Sequence, residues 1–264
     1  MDFQMDGKVA LVTGSTGGIG LAIAEVLAAE GASVIINGRS LQRVHQAMDH
    51  IRSLHPAAKL VAGPADLSTK EGVNSLIQAM PSVDILINNV GIYEIKSFMD
   101  ISDEEWFHLF DVNVMSGVRL SRHYLPLMLQ KNEGRIIFIS SESGLQIPPE
   151  MIHYGMTKTA QLAIARGMAE LTAGTNVTVN SVLPGPTQSE GVNDFIKKIG
   201  QERSLTAQQI EQEFFNTMRP SSLLKRFAST KEVAYMVAFL CSPLASATNG
   251  SSVHVDGGIV RSIA

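Results

Sequence analysis

Short apolar runs alternate with longer amphipathic stretches along most of the chain. Residues 9–12, 34–36, 59–62, 84–87, 135–140, 177–183 and 252–255 read as strands: they are brief, rich in Val, Ile and Leu, and bounded by polar or turn-forming residues. Between them, 19–30 reads as a helix closed by Gly31, 103–130 and 151–171 as longer helices, and a further core helix is expected near Lys231. Near-continuous apolar strands separated by helices predict an α/β fold, a doubly wound parallel sheet with helices on both faces. No Pro/Gly/Ser-rich linker, charge block or internal repeat divides residues 1–264, so one domain is expected. One stretch breaks the rhythm. From 187 to 222 the alternation lapses, and 193–199 and 207–218 are candidate short helices, the second with an apolar edge from Phe214, Phe215 and Met218. A connection of that length suits a functional cover over a site, or else a surface excursion packed on itself.

Composition mainly removes alternatives. A net charge of −4 argues against general nucleic-acid affinity. No apolar run is long enough to span a bilayer, and the acidic first residues do not resemble a secretion signal, so a cytoplasmic protein with no membrane partner is expected. The single Cys241, in apolar surroundings, reads as an inert core thiol. His45, His50 and His55 recur every five residues, which scatters them around a helix, so no metal site is expected.

Chemistry concentrates in two places. Tyr154 and Lys158 are four residues apart in a predicted helix, which puts phenol and ammonium on one face, and Ser141 precedes Tyr154 by thirteen residues. A cation beside a phenol lowers its pKa, making Tyr154 a candidate general acid/base with Lys158 as its electrostatic partner and Ser141 as a holder of substrate oxygen. Near the N-terminus, Gly14, Ser15, Thr16, Gly18, Ile19 and Gly20 lie between the first strand and the first helix. Such a loop lets backbone approach a pyrophosphate while the helix N-terminus offers free N–H groups. Its spacing is neither G-x-G-x-x-G nor that of a P-loop.

Taken together, Thr13-Gly14-x-x-x-Gly18-Ile19-Gly20, Asn88-Asn89-Val90-Gly91, Asn113, Ser141, Tyr154-x-x-x-Lys158 and Pro184-Gly185 resemble, in kind and order, the motifs of the short-chain dehydrogenases/reductases. The resemblance runs end to end and implies a Rossmann sheet and an NAD(P)-dependent oxidoreductase that interconverts a ketone and a secondary alcohol. It implies Asn113, Ser141, Tyr154 and Lys158 as the catalytic set, with Lys158 also touching the nicotinamide ribose and Asn113 fixing a water behind it. Asn113 could equally bend or cap its helix. For the cofactor it implies contacts from the glycine loop, Asp66, Leu67, Asn89, Gly91, Pro184, Gly185 and Thr187. Asp66 is placed to accept from adenine, or to cap the helix that follows Ser68 and Thr69.

Where NAD-using members carry aspartate at the end of the second strand, this chain has Gly38 followed by Arg39. Arg39 suits a 2′-phosphate, so NADP(H) is expected over NAD(H), with NAD(H) still usable. Glu94, Gln146, Ile147, Met151, Phe214 and Phe215 are candidate pocket residues for a small carbonyl or alcohol substrate. The 3-oxoacyl-thioester reductases and the sugar-acid dehydrogenases are the nearest substrate alternatives. A cofactor-binding sensor is the non-enzyme alternative. The resemblance further implies a homotetramer built on the helices at 103–130 and 151–171, and a substrate lid at 187–222.

Overall fold

The computed structural model describes residues 2–189, 192, 203 and 205–263. Seven parallel strands form one sheet: β1 (Val9–Val12), β2 (Ser33–Gly38), β3 (Lys59–Pro64), β4 (Ile85–Asn88), β5 (Gly134–Ile139), β6 (Val177–Pro184) and β9 (Ser252–Val255), in the order β3-β2-β1-β4-β5-β6-β9. Each predicted strand is present, displaced by no more than two residues at either end. A two-stranded ladder of β7 (Thr187–Gln188) and β8 (Ala228–Ser229) had no periodic signal to announce it. It clasps the neck of the long excursion between β6 and the last helix.

Alternation along the strands builds two apolar layers. Val12, Ile36, Ile87 and Ile139 face α1 (Gly18–Ala29), α2 (Leu41–Leu54) and α8 (Thr230–Cys241). Their neighbours Leu11, Ile35, Leu86 and Phe138 face α3 (Lys70–Ala79), α5 (Ser116–Lys131) and α6 (Ile152–Glu170). Each fully buried aliphatic side chain contributes about 1.5–3 kcal/mol through removal from water, so the alternation holds the helices to both faces. Cys241 sits buried in the first layer, and burial pushes its thiol up to about 12.

The predicted helix at 103–130 is interrupted. The chain forms α4 (Asp103–Phe110), opened by a Ser102–Glu105 capping box, then a π-helical turn over Asp111–Met115 before α5. That turn carries Asn113. In the excursion, α7 (Ala207–Thr217) is capped by Thr206 and Gln209 and anchored by the Phe214–Phe215–Phe227 ring cluster, with centroids 5.1–5.2 Å apart. The helix expected at 193–199 lies outside the described residues.

Strand order reverses between β1 and β4, and a crevice opens beyond their carboxyl ends, as in other doubly wound sheets.

Candidate active site

A cleft of about 860 Å³ occupies that crevice. Gly14, Thr16, Ile19 and Gly20 line it together with Arg39, Asp66, Leu67, Asn89 and Gly91. Ser141, Tyr154, Pro184, Gly185 and Thr187 line it as well. The topology therefore gathers residues from seven segments of the chain into one space.

The glycine loop is shaped by close approach. Gly14 has φ +62°, and a Cβ on Gly20 would fall 2.4 Å from the Gly14 carbonyl oxygen and 2.5 Å from Asn89 Nδ2. Asn89 Nδ2 donates to the carbonyls of Thr13 (2.9 Å) and Gly14 (3.2 Å), tying the loop to the end of β4. Asn37, which the sequence reading passed over, braces the other side. Its Oδ1 accepts the Gly14 N–H at 3.0 Å and its Nδ2 donates to Gly63 O at 2.9 Å. A buried Asn at a strand end beside a glycine loop was the available signal. Ser15 departs from expectation. It is fully buried, its hydroxyl donates to Val12 O (2.7 Å) and its N–H to Asn37 O (2.9 Å), so neither group faces the cleft. Gly18 lies outside the lining as well, at the start of α1 with φ +57°. The cradle has the shape a dinucleotide needs: backbone is laid bare where a Cβ would intrude, and a helix N-terminus stands behind it.

At the end of β2, Gly38 leaves room occupied by Thr16: a Cβ there would meet the Thr16 methyl at 2.5 Å. Arg39 is exposed at the cleft wall. Asp66 Oδ1 accepts from Ser68 N (3.0 Å) and Ser68 Oγ (2.7 Å), and these bonds hold its carboxyl below the usual range. Thr69 caps α3. The Thr187 hydroxyl donates to Gly185 O at 2.9 Å.

Lys158 lies 4% exposed behind Tyr154, with Nζ 5.6 Å from the centre of the phenol ring. Its ammonium donates to Ile139 O (2.9 Å) and Gln161 Oε1 (3.3 Å), and burial brings it down to about 8. Asn113 Oδ1 accepts the Ile92 N–H at 2.8 Å, and its Nδ2 donates to Ile92 O and Thr157 Oγ1. The π turn frees the Asn113 carbonyl, which accepts from Gln161 Nε2 at 2.5 Å. Gln161, buried on the Lys158 face of α6, thus bonds both the ammonium and the Asn113 carbonyl; its i,i+3 spacing from Lys158 was the overlooked signal.

The lowered tyrosine pKa expected from Lys158 is not found. Burial pushes the Tyr154 phenol above its ordinary value, Glu142 adds to the rise, and the Ser141 hydroxyl and Arg219 oppose it. The carboxylate that acts on the phenol is Glu142, which follows Ser141 and is itself buried. Glu142 accepts from Ser141 Oγ, and Arg219 Nε reaches its other oxygen at 3.0 Å.

Of the expected pocket residues, Met151 and Phe214 line the cleft. Phe215 is turned into the core, while Glu94, Gln146 and Ile147 are exposed outside it. Tyr93 lies edge-on to Tyr154 at 6.0 Å. His153 is buried against Trp106 with neither ring nitrogen bonded, and burial lowers its pKa. Among the described residues no cluster of His, Cys, Asp or Glu could hold a metal, and no helix is long and apolar enough to cross a membrane.

Known proteins resemble the chain in sequence and fold. L-sorbose reductase from Gluconobacter frateurii, solved with NADPH and L-sorbose, superposes with a TM-score of 0.93 at 31% identity, each chain fully covered. An uncharacterized oxidoreductase of Bacillus subtilis, YvaG, is 51% identical over 263 residues, covering all of both chains. A 3-oxoacyl-[acyl-carrier-protein] reductase of Aquifex aeolicus is 33% identical over 98% of this chain and all of its own. The short chain dehydrogenase family model matches residues 8–199. On this evidence the chain is an oxidoreductase of the short-chain dehydrogenase family.

Proposed function

We propose that the protein reduces a ketone to a secondary alcohol with NADPH, using Tyr154 as the proton donor. The observation that carries this reading is the placement of Ser141 and Tyr154 in the same cleft as the glycine loop, with Lys158 directly behind the phenol. NADPH, when bound, supplies the hydride to the carbonyl carbon. Ser141 donates to the carbonyl oxygen and orients it, and Tyr154 gives that oxygen its proton as negative charge develops there. The phenol carries its proton at neutral pH, and because burial raises its pKa the proton moves only as charge develops on the substrate oxygen. Lys158 holds the phenol side of the site positive, and Gln161 with Asn113 fixes the ammonium from behind.

Preference for NADPH over NADH rests on Arg39 and on the absence of a carboxylate at Gly38, and agrees with the NADPH in the sorbose reductase complex. The acyl-carrier alternative, suggested by the Aquifex relative, has less support. Of the basic residues that could receive an acidic carrier, Arg119 is paired with Asp111 at 2.8 Å and Lys131 with Asp84, while Arg122 is exposed on α5. The described part of the excursion, through α7, is read as a cover over the substrate end, since Phe214, Met218 and Arg219 line the cleft. A homotetramer is supported by apolar side chains left outside on α4, notably Phe107 at 69% exposure. A cytoplasmic setting is in keeping with a free, buried Cys241.

The test is NADPH consumption across neutral ketones, 3-oxoacyl thioesters and keto acids, with Tyr154→Phe as control. Turnover on a ketone that drops at least about 1000-fold in the variant, with NADPH binding intact, supports the reading. Equal turnover in the variant contradicts it.

A further inference from the structure

The catalytic serine does not stand alone. Ser141 Oγ donates to Glu142 Oε2, an oxygen that also accepts the Ser143 N–H at 2.8 Å. Oε1 accepts from Arg219 Nε at 3.0 Å. Glu142 is 4% exposed yet lines the cleft beside Ser141 and Tyr154. A carboxylate so removed from water depends on its donors, and losing one is costly.

A serine hydroxyl has one proton to give. Once Ser141 donates to a substrate oxygen, Oε2 of the buried Glu142 is left one donor short, keeping the Ser143 N–H. Neighbouring oxygens of a hydroxyketone lie within hydrogen-bonding distance of each other, as do those of Ser141 and Glu142. A hydroxyl on the carbon beside the carbonyl can therefore replace the lost donor.

Charge narrows the class further. Arg219 lies between Glu142 and Glu150, reaching the latter at 3.4 Å, and Glu213 is paired with Arg203 at 2.9 Å. Among the described residues lining this part of the cleft, Glu142, Glu150 and Glu213 outnumber Arg203 and Arg219, so a substrate carboxylate would meet no unpaired guanidinium.

We propose that Glu142 is a substrate-binding residue that accepts a hydroxyl hydrogen bond from the carbon next to the reacting carbonyl, so that the substrate is an uncharged α-hydroxyketone and the product a vicinal diol. The proposal rests on the ketone-reduction reading. The reaction balance is unchanged: the carbonyl carbon takes the hydride and its oxygen the Tyr154 proton, NADPH is oxidised to NADP⁺, and the neighbouring hydroxyl stays intact.

The experiment compares kcat/KM with NADPH for matched compounds that differ only beside the carbonyl: hydroxyacetone, acetone and pyruvate, then 1-hydroxy-2-butanone and 2-butanone. A hydrogen bond to a charged acceptor corresponds to a preference of roughly 10- to 100-fold for each hydroxyketone over its plain ketone, with pyruvate poorer still. Calorimetric Kd values of 1,2-butanediol and 2-butanol on the NADPH-loaded protein give a reading without turnover, and the diol is expected to bind tighter by a similar factor. Glu142→Gln should shrink the preference to a few-fold; the wild-type comparison stands even if that variant does not fold. Turnover of plain ketones as fast as hydroxyketones, with equal Kd values, would overturn this proposal and leave ketone reduction standing. Turnover confined to keto acids would likewise overturn it. No turnover of any carbonyl compound would overturn the parent reading and this proposal with it.

Discussion

Replacing Gln161 should change the pH dependence of the enzyme as well as its rate. Lys158 Nζ has two acceptors, Ile139 O at 2.9 Å and Gln161 Oε1 at 3.3 Å. Gln161→Leu removes the second from a buried ammonium. Hydrogen bonds to charged groups contribute about 1.5–3 kcal/mol, and the 3.3 Å length favours the low end, equivalent to about one pKa unit. Lys158, already lowered to about 8 by burial, would then lose its proton about one unit earlier. The sign follows from the role of the charge: activity that needs the ammonium is present below its pKa and falls as pH rises through it. The groups around Lys158 do not mask this. Tyr154 is pushed upward by burial and Glu142, with Tyr93 adding and Arg219 opposing, so its phenol ionises after the ammonium does. The assay is kcat/KM for NADPH-dependent reduction from pH 6 to pH 10. The alkaline limb should move down by about one unit in Gln161→Leu and up in Gln161→Glu, where a carboxylate favours the ammonium. The Asn113 carbonyl also loses its Gln161 donor, so a fall in stability of about 1–3 kcal/mol is expected alongside. If both variants lose activity while the limb stays fixed, Gln161 only fills space and the reasoning fails.

Other consequences can be read directly. Gly38→Asp should shift the kcat/KM ratio from NADPH towards NADH by about tenfold or more, because a carboxylate repels the 2′-phosphate and the Thr16 methyl it meets at 2.5 Å can turn aside; an unchanged ratio would show that Gly38 does not face the ribose. Gly20→Ala places a methyl 2.4 Å from the Gly14 carbonyl and should weaken NADPH binding at least about tenfold by fluorescence titration, whereas unaltered affinity would move the pyrophosphate elsewhere. Arg219→Leu leaves Glu142 charged and buried without its partner, so denaturant unfolding should show a loss of about 3–5 kcal/mol; a loss under about 1 kcal/mol would mean that water reaches the carboxylate.

Much of the fold was legible because sheet and helix periods differ so plainly. Alternate residues such as Leu11 and Val12, or Ile35 and Ile36, sort into opposite layers as continuous apolar strands require. The interruption at 111–115 was not legible, since a π turn keeps the helical periodicity of its neighbours and declares itself only through the freed Asn113 carbonyl. The ladder of β7 and β8 is two residues long on each side, below any periodic signal. At the site, the glycine loop and the Tyr154–Lys158 spacing were visible as local patterns. Glu142 and Arg219 were not, because their ion pair joins residues 77 positions apart and depends on where the excursion returns. Ser15 misled for a related reason: a hydroxyl in a nucleotide-type loop looks available in sequence, yet this one is folded under β1. The sign of the Tyr154 shift was missed because spacing reports a nearby cation but says nothing of desolvation or of a buried carboxylate.

The most direct test of the central claim is isotopic. NADPH carrying deuterium at the transferable C4 position is incubated with hydroxyacetone and the protein, and the alcohol product is examined by NMR and mass spectrometry. The account predicts one deuterium on the carbinol carbon, formed in step with NADPH loss and abolished in Tyr154→Phe. Product without label, or label transfer that survives the loss of the phenol, would contradict it.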